Sequence, residues 1–474
     1  MADPVFSYTG RDFSTEFERL LVLFRQILPE YTDLNPSDAG RTLVELLARQ
    51  TDLLNLYIDR VAQEQFISTA IHKSSLIQLG KIVDYLPKLA SPASTRIRIT
   101  RLPGVERRIP IPKYTEFSRP DGLLYHTVEA AALEINQPYV DVDVIQGTLV
   151  TATISPGQFQ SIDWTGFPKF NLGANVVNEL FDLRHGTNPV FVWAQVESLW
   201  RSTSMDQHFL LELDGDDDTV WLVLGDGSAG QGPPAGEQLT VKYIRTDAST
   251  GNCGAGVITG IPDFLTDLVS VSNIEQATGG GGAETREAIR RAIPRMARTQ
   301  RRGLTAEDYE TLIQHIPGVL HVQALDRESD SQFPYFYEVI CVVPEGGGPI
   351  STYLRSEIMA QCQQWGHLGD WSNRYIVRDC TQIVCDVTAR IGVARGYDTA
   401  NCIGRVTAAL ETVFLPENLS IGSGIDVARL YQAVAGLAGL NWIEIDTPAD
   451  SLPGIQQSIY VKGVVSITPE ASLD

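Results

Sequence analysis

Residues 278–319 read TGGGGAETREAIRRAIPRMARTQRRGLTAEDYETLIQHIPGV: a glycine run, a basic helix, a sharp turn and a second, capped helix. Gly279, Gly280, Gly281 and Gly282 permit backbone angles closed to other residues, so the run is expected to act as a hinge. The helix after it carries Arg286, Arg290, Arg291, Arg295, Arg298, Arg301 and Arg302 against only Glu284 and Glu287. Ile289, Ile293 and Met296 repeat at i, i+4 and i+7 as its apolar face, and Pro294 kinks it or opens a new segment. Gly303 is expected to end it. Thr305 then caps the next helix with Asp308 three residues on, and Leu304 and Tyr309 occupy the staple positions around that cap. The stretch offers no nucleophile, metal cage or phosphate cradle. Two readings of the arginines stand: guanidiniums solvated on an amphipathic helix, or bidentate partners for carboxylates of another subunit.

Outward from this stretch the chain is acidic, with a net charge of −21 over 474 residues, which argues against a general nucleic-acid binder. Residues 206–237 hold eight acidic side chains and no Lys or Arg. Such a tract and the arginine helix could meet between copies, pair within one chain, or simply be solvated. Six cysteines without a CxxC spacing make no disulfide framework and are expected to be buried thiols. No apolar run reaches the roughly 18 residues of a membrane span. The N-terminus lacks a signal-peptide pattern, so synthesis and retention in a cytoplasm are expected.

Length and periodicity predict an α+β multidomain protein. Residues 1–90 read as a helical, bundle-forming region. Thr15 with Glu18 predicts one capping box, Asn35 before Pro36 a second helix start, and 73–85 a third helix. Leu43, Leu47, Leu54, Tyr57, Ile58 and Val61 trace an apolar stripe, with Asp38, Glu45, Asp52 and Asp59 seven apart on the other, solvated face. Residues 91–275 alternate with period two and form a β-rich middle domain, with long loops around 150–200 that suggest an inserted subdomain. Within it 127–129, 191–193, 209–213, 220–224 and 239–243 read as strands, with a hairpin turn at 214–218. Residues 276–380 form an α+β domain opened by the glycine run, with strands at 319–326, 335–343 and 374–379 and a helix at 351–364. Residues 381–474 form a second, with helices at 399–414 and 426–438 and strands at 383–393, 442–446 and 458–468. Helix–Gly–strand recurs at Tyr309…Gly318-Val319 and Tyr431…Gly439-Leu440, which raises a duplicated unit.

Catalytic signatures are lacking. The glycine run sits where a dinucleotide fingerprint would, but Glu284 occupies the third glycine position, where a carboxylate repels pyrophosphate. Asp214, Asp216 and Asp218 imitate a calcium loop, yet Thr219 and Gly225 stand where Gly and Glu are required. The seven histidines, His367 among them, form no HxxxH or HExxH, and no GxSxG occurs. The expectation is a non-enzymatic interaction protein with no cofactor, metal, nucleic acid or membrane partner. A carboxylate pair for sugar cleavage leaves no local signature, so an enzyme stays as an alternative.

Three blocks resemble the baseplate J-like family of contractile phage tails. One is Asn35-Pro36-Ser37-Asp38-Ala39-Gly40-Arg41-Thr42-Leu43-Val44-Glu45-Leu46. The second is Leu224-Gly225-Asp226-Gly227 with Pro233-Pro234-Ala235-Gly236, Tyr243 and Gly251-Asn252. The third is the 278–319 stretch itself. They occur in the family's order and span nearly the whole chain. The resemblance implies a structural baseplate wedge subunit that self-associates and binds other wedge proteins. It also implies a ring around the central hub that couples host contact to sheath contraction, with hub or sheath-initiating proteins as further partners. By the same resemblance, helices within 1–90 join a bundle, the region after Gly282 closes the ring, and the protein resides in a virion tail baseplate after assembly in the host cytoplasm. A tail-fibre component and a tail-associated cell-wall hydrolase are the rival readings.

Overall fold

The computed structural model describes residues 7–30, 35, 38–160, 166–186, 190–215, 217–325, 338–365 and 375–470. Pro36, Ser37, Asp216, His367 and Arg374 lie outside these, as do the expected strand ends at 326 and 335–337. The architecture is α+β: a helical N-terminal segment, a β-rich middle and a mixed C-terminal region. Two compact units make it up. The smaller gathers Met1–Pro87, Leu213–Thr219 and Glu284–Ala297; the larger holds Lys88–Glu212, Val220–Ala283 and Arg298–Asp474.

In the smaller unit, α1 (Phe13–Ile27) packs on α2 (Ala39–Gln63), followed by α3 (Lys73–Lys81). Arg41 lies over Phe17 and Arg49 over Phe13, so the first two helices run antiparallel. Their starts differ from the expected caps. Asp12, not Thr15, caps α1, with Thr15 as the returning partner of the box, because the carboxylate is the stronger acceptor one turn earlier. Asp38, not Asn35, caps α2 by accepting from the amides of Gly40 and Arg41 at 2.7 and 3.1 Å. The third helix stops before 85: Asp84 is left-handed at φ +57°, and the Tyr85 amide returns to the Gly80 carbonyl at 3.0 Å.

In the larger unit, an antiparallel sheet runs Val269–Asn273, Ser94–Arg101, Tyr139–Gln146, Leu124–Thr127, Glu116–Ser118 around Ile97, Ile99, Phe117, Tyr125 and Val144. The expected strand at 127–129 thus ends at Thr127, whose hydroxyl turns away to the Pro112 carbonyl at 2.8 Å. Between the Tyr139–Gln146 and Val269–Asn273 strands the chain builds two further four-stranded sheets from Thr148 to Arg245, an insertion longer than 150–200.

Two three-stranded sheets with helices follow. α4 (Arg286–Thr299) leads to α5 (Ala306–Gln314), which packs with α6 (Thr352–Trp365) on the sheet Val319–Leu325, Glu338–Pro344, Tyr375–Asp379. α7 (Thr399–Val413) and α8 (Val427–Val434) cover the sheet Leu440–Thr447, Thr381–Val393, Ser458–Glu470. α8 ends short of 438 because Ala435 is extended and Gly436 takes φ +80°. Each sheet has one antiparallel and one parallel pairing, but the central strand comes second in chain order in the first and first in the second. That connectivity difference removes the duplicated-unit expectation.

Candidate assembly surfaces

The second helix is built inside out. Its inward residues are Val44, Ala48, Asn55, Asp59 and Gln63, all buried. Asp59, expected on the solvated face, accepts from the amides of Tyr8 and Thr9 at 2.9 and 2.7 Å and from the Thr9 hydroxyl at 3.1 Å. The acidic side was expected to be wet because carboxylates seldom bury unpaired. Here the N-terminal segment supplies the donors. The stripe Leu43, Leu47, Leu54, Tyr57, Ile58 and Val61 faces outward instead, each residue 54–62% exposed. Leu46 and Leu53 widen it, and Val22, Leu23 and Ile27 of α1, with Leu28 just after it, are exposed too. This helix of 25 residues therefore carries its leucines on its open side.

The basic helix is positioned by its apolar face. Ile289, Ile293 and Met296 are buried, and Ile293 lies close to Gly80, where an added Cβ would sit 3.5 Å from its Cδ1. The helix runs on through Pro294. It ends at Thr299 rather than Gly303, because Gln300 and Arg301 both turn left-handed. Gly303 serves a different need: a Cβ there would meet the Tyr309 ring at 2.5 Å. The Thr305–Asp308 capping box is present, but Leu304 is 61% exposed and staples nothing to buried Tyr309.

The seven arginines do two jobs. Arg286 donates to the Ile71 carbonyl at 3.0 Å, and Arg290 to the Ile67 carbonyl at 3.1 Å and to that of Ala70. Both also pair with Glu287. Arg301 pairs with Glu197. The side chains of Arg291, Arg295, Arg298 and Arg302 are exposed and make no ion pair among the described residues.

Three of the four run glycines are fixed in place. Gly279 takes φ +88° and its amide donates to the Glu345 carbonyl at 3.0 Å. Gly280 exchanges two 2.9 Å bonds with the Asn252 side chain, and a Cβ there would lie 2.5 Å from the Ala248 carbonyl oxygen. Gly281 exchanges 3.0 Å backbone bonds with Ser91. Gly282 is exposed with open space around it, and the chain passes into the smaller unit after Ala283.

In the acidic tract, Glu212 pairs with Lys169 at 2.7 Å and Asp218 with Lys73. Asp226 accepts from the Ser228 and Ala229 amides at 2.8 and 2.9 Å, closing the turn after Gly225, whose missing Cβ admits the Gly230 backbone. Those bonds hold the Asp226 carboxyl down at about 2, the Ala229 amide contributing most. Among the described residues no three His, Cys, Asp or Glu side chains gather to hold a metal. Of the six free cysteines, Cys341, Cys362, Cys385 and Cys402 are buried and Cys253 and Cys380 half-buried.

One buried carboxylate was not foreseen. Glu179 Oε2 is shut from solvent without a hydrogen-bond partner. Burial first, and the nearby Glu357 charge next, push its pKa up to about 7. His126 is also buried with both ring nitrogens unpartnered, and burial holds its pKa below the usual value. Neither lies in a local sequence motif, because each environment is assembled from distant elements.

Residues 12–82 match the family model described as bacteriophage baseplate protein, N-terminal domain. A curated relative, baseplate wedge protein gp6 of Enterobacteria phage T4, is 26% identical over 358 residues, covering 67% of this chain and 51% of the relative. The chain thus spans about half the length of that relative. Among solved structures, a chain of the anti-feeding prophage baseplate aligns over 94% of this chain and 90% of its own, at 16% identity and a TM-score of 0.34. A chain of the type VI secretion TssK-TssF-TssG baseplate subcomplex aligns over 72% and 96%, at 9% identity and a TM-score of 0.32. At those scores neither structure carries an argument. The likeness rests on the family model and the curated relative. It is to phage baseplate and wedge proteins, without the narrower J-like label, and the family model falls on the helices that include the inside-out α2.

Proposed function

We propose that this chain is a structural, non-enzymatic wedge subunit of the baseplate of a contractile tail or related injection machine. It is assembled in the host cytoplasm and resides in the tail baseplate. The observation that carries the reading is the outward apolar face of α2. Fully burying one such side chain contributes about 1.5–3 kcal/mol, so six supply on the order of 10 kcal/mol before the costs of association. That favours a standing bundle with helices of partner wedge proteins over a solvated face. The free arginines serve contacts between copies, which join wedges into a ring around the hub. Turning at Gly282 and Ala283, where the hydrogen-bonded glycines end, lets the ring change diameter when host contact releases the sheath.

Removing residues 1–90 is a poor test, since Arg286, Arg290 and Ile293 of α4 rely on that segment. Leu47→Glu with Leu54→Glu in the full chain is cleaner. Light scattering on the chain co-expressed with products of neighbouring genes should show a defined hetero-complex that the double variant loses while staying folded. A wild-type chain that joins none of them, or a variant that binds as before, would reject the reading.

A further inference from the structure

Two of the six thiols meet where the last two sheets join. The strand Glu338–Pro344 pairs in parallel with Tyr375–Asp379, with Cys341 opposite Arg378 and Val342 opposite Asp379. Cys380 is the single residue between that second strand and Thr381–Val393, the central strand of the next sheet. Ile340 and Val342 pack on the side of α5 and α6, whereas Val343 and Cys380 pack on the core of the next sheet. Side chains alternate along a strand, so Cys341 points the same way as Val343. There its thiol shares a hydrogen bond with that of Cys380. Cys341 is buried, and Cys380 is half-buried in a cleft that Val343, Gln382, Phe414 and Tyr460 also line.

We infer that Cys341 and Cys380 are a disulfide-forming pair, reached through this cleft by low-molecular-weight disulfides, and that closing it pins the two sheets at their joint. The chemistry does not rest on the wedge reading. The shared hydrogen bond lets the pair release its first proton more readily than a lone thiol, against the opposing effect of burial and with help from the Arg378 charge. The Cys380 thiolate attacks one sulfur of the small disulfide, whose other half leaves and takes up the released proton. The Cys341 thiol then loses its proton, attacks the Cys380 sulfur and expels the second half as a thiol. Two cysteines are oxidised and one small disulfide is reduced to two thiols, with no further reactant. A disulfide needs its Cα atoms within about 4.4–6.8 Å, whereas diagonal neighbours across a ladder lie about 8 Å apart. Closure therefore draws Cys380, which belongs to neither strand, inward by about 1–2 Å. A bond closed under that strain is readily reduced again, which suits a switch and not a framework. A reducing cytoplasm keeps such a pair as thiols, and release from the cell exposes it to oxidation.

The test treats the folded full chain with excess glutathione disulfide at neutral pH, alkylates the remaining thiols and maps the peptides by mass. In wild type the Cys341 and Cys380 peptides should be joined, about tenfold or more faster than the other four cysteines react. Cys341→Ala should stop at a glutathione adduct on Cys380, because the resolving thiol is gone. Cys380→Ala should take up no glutathione at Cys341, which is buried. Hydrogen exchange in oxidised wild type should slow at 339–343 and 379–383, and dithiothreitol should reverse it. The inference is overturned if wild type yields no joined peptide, if the joined peptides carry other cysteines, or if Cys380 of wild type keeps glutathione as a lasting adduct. The wild-type map decides by itself, so a variant that fails to fold does not blunt the test. Failure here leaves the α2 contact intact, since that contact is read by partner binding.

Discussion

The Tyr85 hydroxyl donates to Glu284 Oε2 at 2.5 Å inside the smaller unit, joining the end of α3 to the start of α4 across 199 residues of chain. Burial first, and the Glu284 charge next, keep the phenol protonated far above neutral pH, so the bond persists across the working range. Tyr85→Phe keeps the ring but strips a charged, buried acceptor of a donor, which costs about 1–3 kcal/mol. Hydrogen exchange in α3 and α4 reads the loss locally; unchanged protection in Tyr85→Phe would show the bond to be dispensable.

The glycine run makes a sharper distinction. Gly280→Ala puts a methyl group against the Ala248 carbonyl and the Asn252 side chain, neither of which can withdraw without breaking its own bonds. A loss of about 1–3 kcal/mol is expected in denaturant unfolding. Gly282 has open space and a backbone that is not left-handed, so Gly282→Ala should stay within about 0.5 kcal/mol of wild type. Equal effects at the two positions would contradict this assignment.

What the sequence made legible were features with a local cause. The Thr305–Asp308 box, the apolar face of α4 and the strand read at 239–243 each follow from neighbours in sequence. The α2 stripe was legible as a stripe but not as a surface. Periodicity gives the spacing of leucines, and only the donors of Tyr8 and Thr9, which let Asp59 bury, decide which side turns inward. Gly303 was read as a helix stop because glycine usually is one. Its actual neighbour, the Tyr309 ring, appears only once the chain has folded back. Glu179 and Tyr85 belong to the same class, since their partners lie far away in sequence.

Glu179 gives a pH dependence of definite sign. Its folded pKa of about 7 lies above the ordinary 4.5 of a free carboxyl, so the folded state holds a proton that the unfolded state releases. The site's contribution is fully present below about 4.5 and is lost as pH rises through 7, a change of roughly 3 kcal/mol. His126 works the other way. Its folded pKa lies below 6.5, so its contribution is present above that value and is lost as pH falls through the folded pKa. Glu179→Gln should therefore raise stability at pH 8 and leave it nearly unchanged at pH 4. An unfolding series between those values checks it, and a variant no more stable at pH 8 would mean that Glu179 is solvated.

The two sides of α2 should respond oppositely to substitution. Ala48 is fully buried, so Ala48→Leu forces three extra carbons into a packed seam and costs about 1–3 kcal/mol of stability. Leu54, 54% exposed, already meets water, and Leu54→Glu should leave stability within about 0.5 kcal/mol of wild type. In a bundle the same change buries an unpaired carboxylate among leucines and should weaken partner binding by 100-fold or more, about 3 kcal/mol. Unfolding curves and titration calorimetry with the captured partner separate the two effects. If Ala48→Leu disturbed binding and Leu54→Glu disturbed folding, the faces would be reversed, and the stripe would belong to the core of the chain and not to its assembly.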